Sequence, residues 1–419
     1  MKSYLKKSDL WSFVTVIFYR IILDISYYFV VSRFWGYEGF AVNPTAPKMI
    51  ESYFLTLLIF WLMPKASKKI SDILAWFFTL MAYLPLLTVY VFSDESRLYV
   101  YGATFMMILL FVSLKLFKTP TIPSLNKKQA QFVNIAMFFA LAVLVLAAIY
   151  LTTGFFWNFD LSKVYEIRAN FVKQNIPFAD HIFDWLALLL NPLFFAIFLK
   201  KKKWLAVAGT VVLELVLFSV TGVRIFLFAL PFVYFIGKLV KTKNPLAYAA
   251  AGLSIILLAG MFFSLVFGSL LIDKLFSYRT IFEPALISFF YYHFFSINGL
   301  TYLSQHSLLN ELIHYPYDLS PPSLIGLHYY GTSDAHANNG LFSDAYMNFG
   351  FLGFFIWPFL LALFLKLADV CSRDRDKGLV LAVLGISVII FTNVELLTSL
   401  FTNGLLLGVG MVYLLPKQS

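Results

Sequence analysis

Cysteine is almost absent: Cys371 is the single one in 419 residues. That excludes an intrachain disulfide and a thiolate metal cluster. Histidine is rare too, at six, and no His-Glu-x-x-His pattern occurs, so the residue set of a zinc hydrolase is missing. Charge is equally scarce. Only 13% of residues are Asp, Glu, Lys or Arg, where soluble domains carry about a quarter. There is no internal repeat, no low-complexity tract and no segment that reads as a separate soluble domain.

What fills the space is apolar. Hydrophobic residues make up 60% of the chain, Phe alone contributes 48, and the mean hydropathy is +0.80. This is the composition of a polytopic integral membrane protein. The net charge of +10 would suggest nucleic acid in a soluble domain. Here the basic residues sit in short loops between apolar runs, which is an orientation signal, so no nucleic-acid partner is expected. Lys2, Lys6 and Lys7 before a long apolar run resemble a signal peptide. No small-residue cleavage site follows and the run is too long, so it is expected to be the first span.

A spanning helix needs roughly 20 apolar residues. The candidates are 11–31, 49–64, 71–92, 98–117, 131–153, 182–199, 204–220, 223–240, 246–268, 341–366, 378–393 and 397–415. Lysines and arginines follow every second run: Lys65, Lys68 and Lys69; Lys115, Lys118, Lys127 and Lys128; Lys200 to Lys203; Lys238, Lys241 and Lys243; Lys366, Arg373, Arg375 and Lys377. Positive loops face the cytoplasm, which puts both termini there. Segments 32–48, 154–181 and 269–340 then face outward, with short turns near Ser93, Thr221 and Asn393. Segment 281–303 is apolar enough to span, but a span there would push the basic loop at Lys366 outside. It is expected to be an interfacial or re-entrant helix. The predicted fold is all-α, about twelve spans with one large outer loop.

Three arginines break the charge rule by falling at the outer face: Arg168, Arg224 and Arg279. A guanidinium presents a planar fork of donors that matches phosphate oxygens. Three converging would bind a pyrophosphate without metal. Alternatively they snorkel to headgroups or pair with Glu166, Asp273 and Glu283. His336 is a candidate general base, since its unperturbed pKa is near 6.5. Asp344 is its rival, although a carboxylate there also suits a helix N-terminus; Glu166 and Glu283 come next. Asn339 or Ser343 is placed to cap the helix starting near Leu341. Gly350 and Gly353 read as helix-packing positions, and Arg20 with Asp24 as an i,i+4 structural pair. Asp374-Arg375-Asp376 matches a nucleotide-sugar metal motif, but its loop has no room for the domain that motif needs. No metal and no cofactor are expected.

Taken together, Val164–Asn170, Thr221–Arg224, Tyr278–Ala285, the aromatic run 289–295, His336-Ala337-Asn338-Asn339-Gly340, Asp344, Tyr346, Phe349-Gly350 and Gly353 resemble the bacterial oligosaccharide repeat-unit polymerases, the Wzy-type O-antigen and capsule enzymes. The resemblance covers nearly the whole chain through loose motifs. It implies a GT-C-like membrane glycosyltransferase of the bacterial inner membrane, with its active site outside the cytoplasm. Its substrates would be undecaprenyl-pyrophosphate-linked oligosaccharides. Arg168, Arg224 and Arg279 would bind pyrophosphate; Tyr278, Asn338, Asn339 and Tyr346 would contact substrate; His336, Asp344 or Glu166 would activate the acceptor hydroxyl. Membrane lipids and a chain-length regulator are the implied partners. Two alternatives stand beside it: an O-antigen ligase-type transferase, which shares outer arginines and a loop histidine, and a flippase or transporter without chemistry. A flippase is expected to show two similar halves, and none is visible here.

Overall fold

The computed structural model describes residues 7–64, 69–118, 127–153, 179–306, 309 and 311–417. The main helices in chain order are α1 (Lys7–Ser26), α2 (Ala46–Leu62), α3 (Ile70–Phe92), α4 (Arg97–Leu116), α5 (Lys127–Thr153), α6 (His181–Lys200), α7 (Trp204–Thr221), α8 (Arg224–Leu239) and α9 (Pro245–Phe267). They continue as α10 (Glu283–Asn298), α11 (Pro321–Tyr330), α12 (Leu341–Phe349), α13 (Gly353–Cys371), α14 (Lys377–Leu384), α15 (Ser387–Asn393), α16 (Leu396–Phe401) and α17 (Leu405–Tyr413). Extended pairing among the described residues is confined to an isolated bridge between Arg375 and Lys417.

All twelve apolar runs coincide with helix, and 8 described helices are long and apolar enough to cross a membrane. Their outward faces are greasy: Trp61 is 76% exposed, Ile255 64% and Phe262 55%. In water such surfaces would drive association. In hydrocarbon they are solvated, and the helical backbone satisfies its own polar groups. The protein is an all-α, multi-pass membrane protein.

The chain forms two compact units. Unit one comprises Met1–Lys118, Lys243–Leu365 and Val388–Leu396; unit two comprises Thr119–Thr242, Lys366–Ser387 and Leu397–Ser419. In unit one, α1 runs along α9, and Arg20 lies fully buried inside. Its guanidinium bonds Asp24, the Thr88 hydroxyl at 2.7 Å and the Ser52 hydroxyl at 3.2 Å, while Tyr53 donates to Asp24 at 2.8 Å. The expected i,i+4 pair is therefore also a knot between α1, α2 and α3. A buried charge is tolerable only when paired and hydrogen-bonded this way.

Prolines shape the helices. Thr79–Tyr83, Trp185–Leu190 and Asp273–Phe282 are wide π-helical turns, and each is followed two residues later by proline: Pro85, Pro192 and Pro284. Proline has no N–H to give and its ring clashes with the preceding turn, so the helix widens ahead of it rather than breaking. Gly260 of α9 makes room for Asp273, whose Oδ1 lies 2.3 Å from where a Cβ would be.

Segment 281–303 becomes α10, which packs on α3, α11 and α12 and buries Pro284 through Tyr291. Run 341–366 falls within one candidate span, Leu341–Cys371, that is interrupted inside. Gly350 adopts φ +57, a 3-10 turn Gly350–Leu352 follows, and α13 restarts at Gly353. Gly353 backs onto the Ala345 carbonyl, 1.8 Å from a built Cβ. Gly350 thus serves the break, while Gly353 lets α13 pack closely on α12.

Unit two packs α6, α7, α8, α14 and α17 together around Phe195, Leu230, Val233 and Ala382. Arg375 donates to the carbonyls of Leu415 and Arg373 at 3.1 Å each, and Asp376 caps α14 while pairing with Lys200 at 2.6 Å. Arg375 and Asp376 of the Asp-Arg-Asp triplet are spent on the fold.

Gly353→Ala would force backbone against backbone, at about 1–3 kcal/mol for such overpacking. We expect a lower thermal midpoint in detergent, or loss of accumulated protein. A wild-type melting curve would contradict the close approach.

Candidate functional site

Polar contacts gather several connections at one end of unit one. Asn43 N donates to Phe92 O at 2.7 Å, Lys48 pairs with Asp94 at 2.8 Å, and His293 Nε2 lies 3.1 Å from Glu95. Tyr291 donates to the Ala337 carbonyl at 2.9 Å. These are connections that the lysine alternation assigns to one side: 32–48, the turn at Ser93 and 269–340.

Arg279 stands in this group, on the wide turn that leads into α10. Its Nη1 bonds Glu283 one turn on, and its guanidinium lies 5.0 Å over the ring of Tyr278. The Tyr278 hydroxyl is within hydrogen-bonding reach of two carboxylates, Glu38 and, at 3.1 Å, Glu283. Trp35 stacks on Tyr278 at 4.8 Å with planes 5° apart, fixing the ring. Burial raises the Glu283 carboxyl above its usual range, against the pull of Arg279. Burial, and then Glu283, drive the Tyr278 phenol far upward, so it stays a donor. Arg279 itself keeps 36% of its side chain exposed.

α11 links this group to the loop histidine. Its last residue, Tyr330, has its phenol raised by burial and then by the charges of Glu283 and Glu38. Seven residues earlier, Ser323 Oγ lies 3.1 Å from Nδ1 of exposed His336. At 1.5 Å per residue, Ser323 and Tyr330 are about 10 Å apart along the axis. Asn338 is exposed and Asn339 buried. Neither Asn339 nor Ser343 caps α12. Gly340 holds the cap position in extended backbone, pressed on the Thr392 carbonyl, and Ser343 donates back to Gly340 O at 2.9 Å.

Asp344 occupies a different environment. It is buried, and it accepts from Asn348 Nδ2 at 2.8 Å, Trp357 Nε1 at 2.8 Å and Leu396 N at 2.7 Å. Tyr346 is also interior, edge-on to Tyr99 at 5.9 Å and to Tyr292 at 4.9 Å. Glu166 and Arg168 lie outside the described residues. Arg224 begins α8 in unit two, where Val223 is the cap residue.

Compared with protein-family models, with curated proteins and with solved structures, this chain finds no match.

Three residues escaped the sequence argument. Glu38 is the sole carboxylate of 32–48, and Glu395 the sole one after Lys377; either could have been flagged by that isolation. Glu395 is buried with His306 Nε2 at 3.3 Å. Burial and then Asp344 hold the Glu395 carboxyl above its usual range, while burial lowers His306.

Asp344→Ala would leave Trp357 Nε1 and the Leu396 N–H without an acceptor, at about 1–3 kcal/mol each, while Asn348 Nδ2 keeps the carbonyl of residue 344. We expect a marked drop in thermal midpoint in detergent, larger than for His336→Ala at the surface. Equal melting of the two variants would contradict the assignment of Asp344 to the scaffold.

Proposed function

We propose that the protein is a glycosyltransferase that polymerises undecaprenyl-pyrophosphate-linked oligosaccharide repeat units at the outer face of a bacterial cytoplasmic membrane. In this reading all twelve apolar runs span, both termini are cytoplasmic, and the loop end of unit one faces outward. The observation that carries it is Arg279, part-exposed and steadied by Glu283 and Tyr278 in a membrane-embedded unit.

Pyrophosphate is a good leaving group, so the enzyme need not supply an acid. The developing phosphate charge must be met by preorganised donors, and arginine supplies them. Arg168 and Arg224 are the further pyrophosphate-binding candidates that the sequence offers. The second requirement is a proton acceptor for the attacking hydroxyl. His336, Asp344 and Glu166 are the candidates from sequence; His336 is exposed, whereas Asp344 has donors on both of its oxygens. A chain-length regulator and the membrane lipids are the proposed partners. The ligase-type transferase would use the same groups on a different acceptor.

Arg279→Ala should lower polymer formation about 10²–10³-fold, the usual cost of removing one charge-stabilising donor. Arg279→Lys should restore it only partly, since the planar fork is lost. In cells, surface glycan should then carry a single repeat unit, read on a gel of the extracted glycan. Full-length polymer in the Ala variant would sink the proposal. Repeat units trapped in the inner leaflet would favour a flippase, and unpolymerised transfer of finished glycan a ligase.

A further inference from the structure

Glu38 belongs to a part of the chain that the motifs above never touched, yet it reaches the arginine group. The turn Gly36–Glu38 ends at Gly39, whose φ of +109 suits glycine. A Cβ on Gly39 would sit 3.1 Å from the ring of Phe290 in α10, so this turn is seated against the helix that Glu283 begins. The Glu38 position is therefore set by packing and not only by its own loop.

The two carboxylates at Tyr278 differ in what holds them. Glu283 is ion-paired with Arg279 one turn away on the same helical segment, and only 12% of its side chain is exposed. Glu38 arrives from 240 positions away, is part-exposed, and takes the Tyr278 hydroxyl as donor. A carboxylate has about four acceptor sites, and the phenols of Tyr278 and Tyr37 occupy two of them. Next to it, Tyr37 is 82% exposed and offers a ring face of the amphipathic kind that sugars stack on.

The chain Glu38–Tyr278–Glu283–Arg279 consists of three hydrogen-bonded contacts. At about 2.7–3.2 Å each, the Glu38 carboxylate and the Arg279 guanidinium are separated by no more than about 10 Å.

From this we infer that Glu38 is the proton acceptor for the attacking sugar hydroxyl, an assignment that rests on the transferase reading above. The acceptor oxygen bonds to the anomeric carbon of the donor glycan, and its proton passes to a Glu38 oxygen. The bond between that carbon and the pyrophosphate oxygen breaks, and its electron pair leaves on the pyrophosphate beside Arg279. Glu38 then returns the proton to water.

The test uses the full chain, purified in lipid nanodiscs, with a synthetic polyprenyl-pyrophosphate-linked repeat unit as substrate. Glu38→Gln keeps the shape and an acceptor for Tyr278. It should lower kcat about 10²–10⁴-fold, leave KM nearly unchanged and remove the acidic limb of the pH profile of kcat/KM. Glu38→Asp should restore part of kcat together with that limb. Wild-type kcat in the Gln variant overturns the Glu38 assignment and leaves the transferase reading standing. So does an acidic limb that persists in the Gln variant with lowered melting temperature, which marks a merely structural role. Should the Gln variant not fold, an Asp variant with wild-type melting and no change in kcat or pH profile would also overturn it. A wild-type protein that transfers nothing removes the transferase reading, and this inference with it.

Discussion

The buried carboxylate of Asp344 ties α12 to α13 and to the connection ahead of α16, and the loop end of unit one is built outward from that knot. Its donors are Trp357, Asn348 and the Leu396 backbone. In a dry interior a lone carboxylate would be far too costly, so the contacts must all form together. Once α12 is set, α10 packs on it, and α10 carries the wide turn and Arg279 at its start. The charged group is thus positioned by a polar contact buried elsewhere in the same unit.

The same logic governs the irregular turns. Hydrocarbon cannot hydrogen-bond an exposed carbonyl, so a membrane helix absorbs a proline by local widening within the helix. Pro85, Pro192 and Pro284 each sit just beyond such a turn. The last of these turns carries Tyr278 and Arg279. Glycines make the complementary adjustment, with Gly353 and Gly260 allowing approaches that any side chain would block.

At the loop end, charge is mixed and not purely basic. Arg279 is balanced by Glu283, with Glu38 close by through a shared phenol. A guanidinium held this way has its orientation fixed by its neighbours. The Glu395–His306 contact is a second acid–imidazole pair in unit one, reached through the Asp344 neighbourhood.

The class of the molecule was legible from residues alone, because apolar run length and lysine spacing are local properties with direct physical consequences in a bilayer. All twelve runs became helix, and Arg20 met Asp24 as the i,i+4 spacing required. Tertiary structure decided what local pattern could not: that 341–366 is interrupted at Gly350, that Asp344 is buried beneath three donors, and that Tyr346 is interior. It also decided that Arg279 keeps company with Glu38, whose nearest partner is 240 positions along the chain. Hydrogen bonds between distant segments leave no periodic trace in a sequence, and only the packing of α10 against its neighbours brings those groups together.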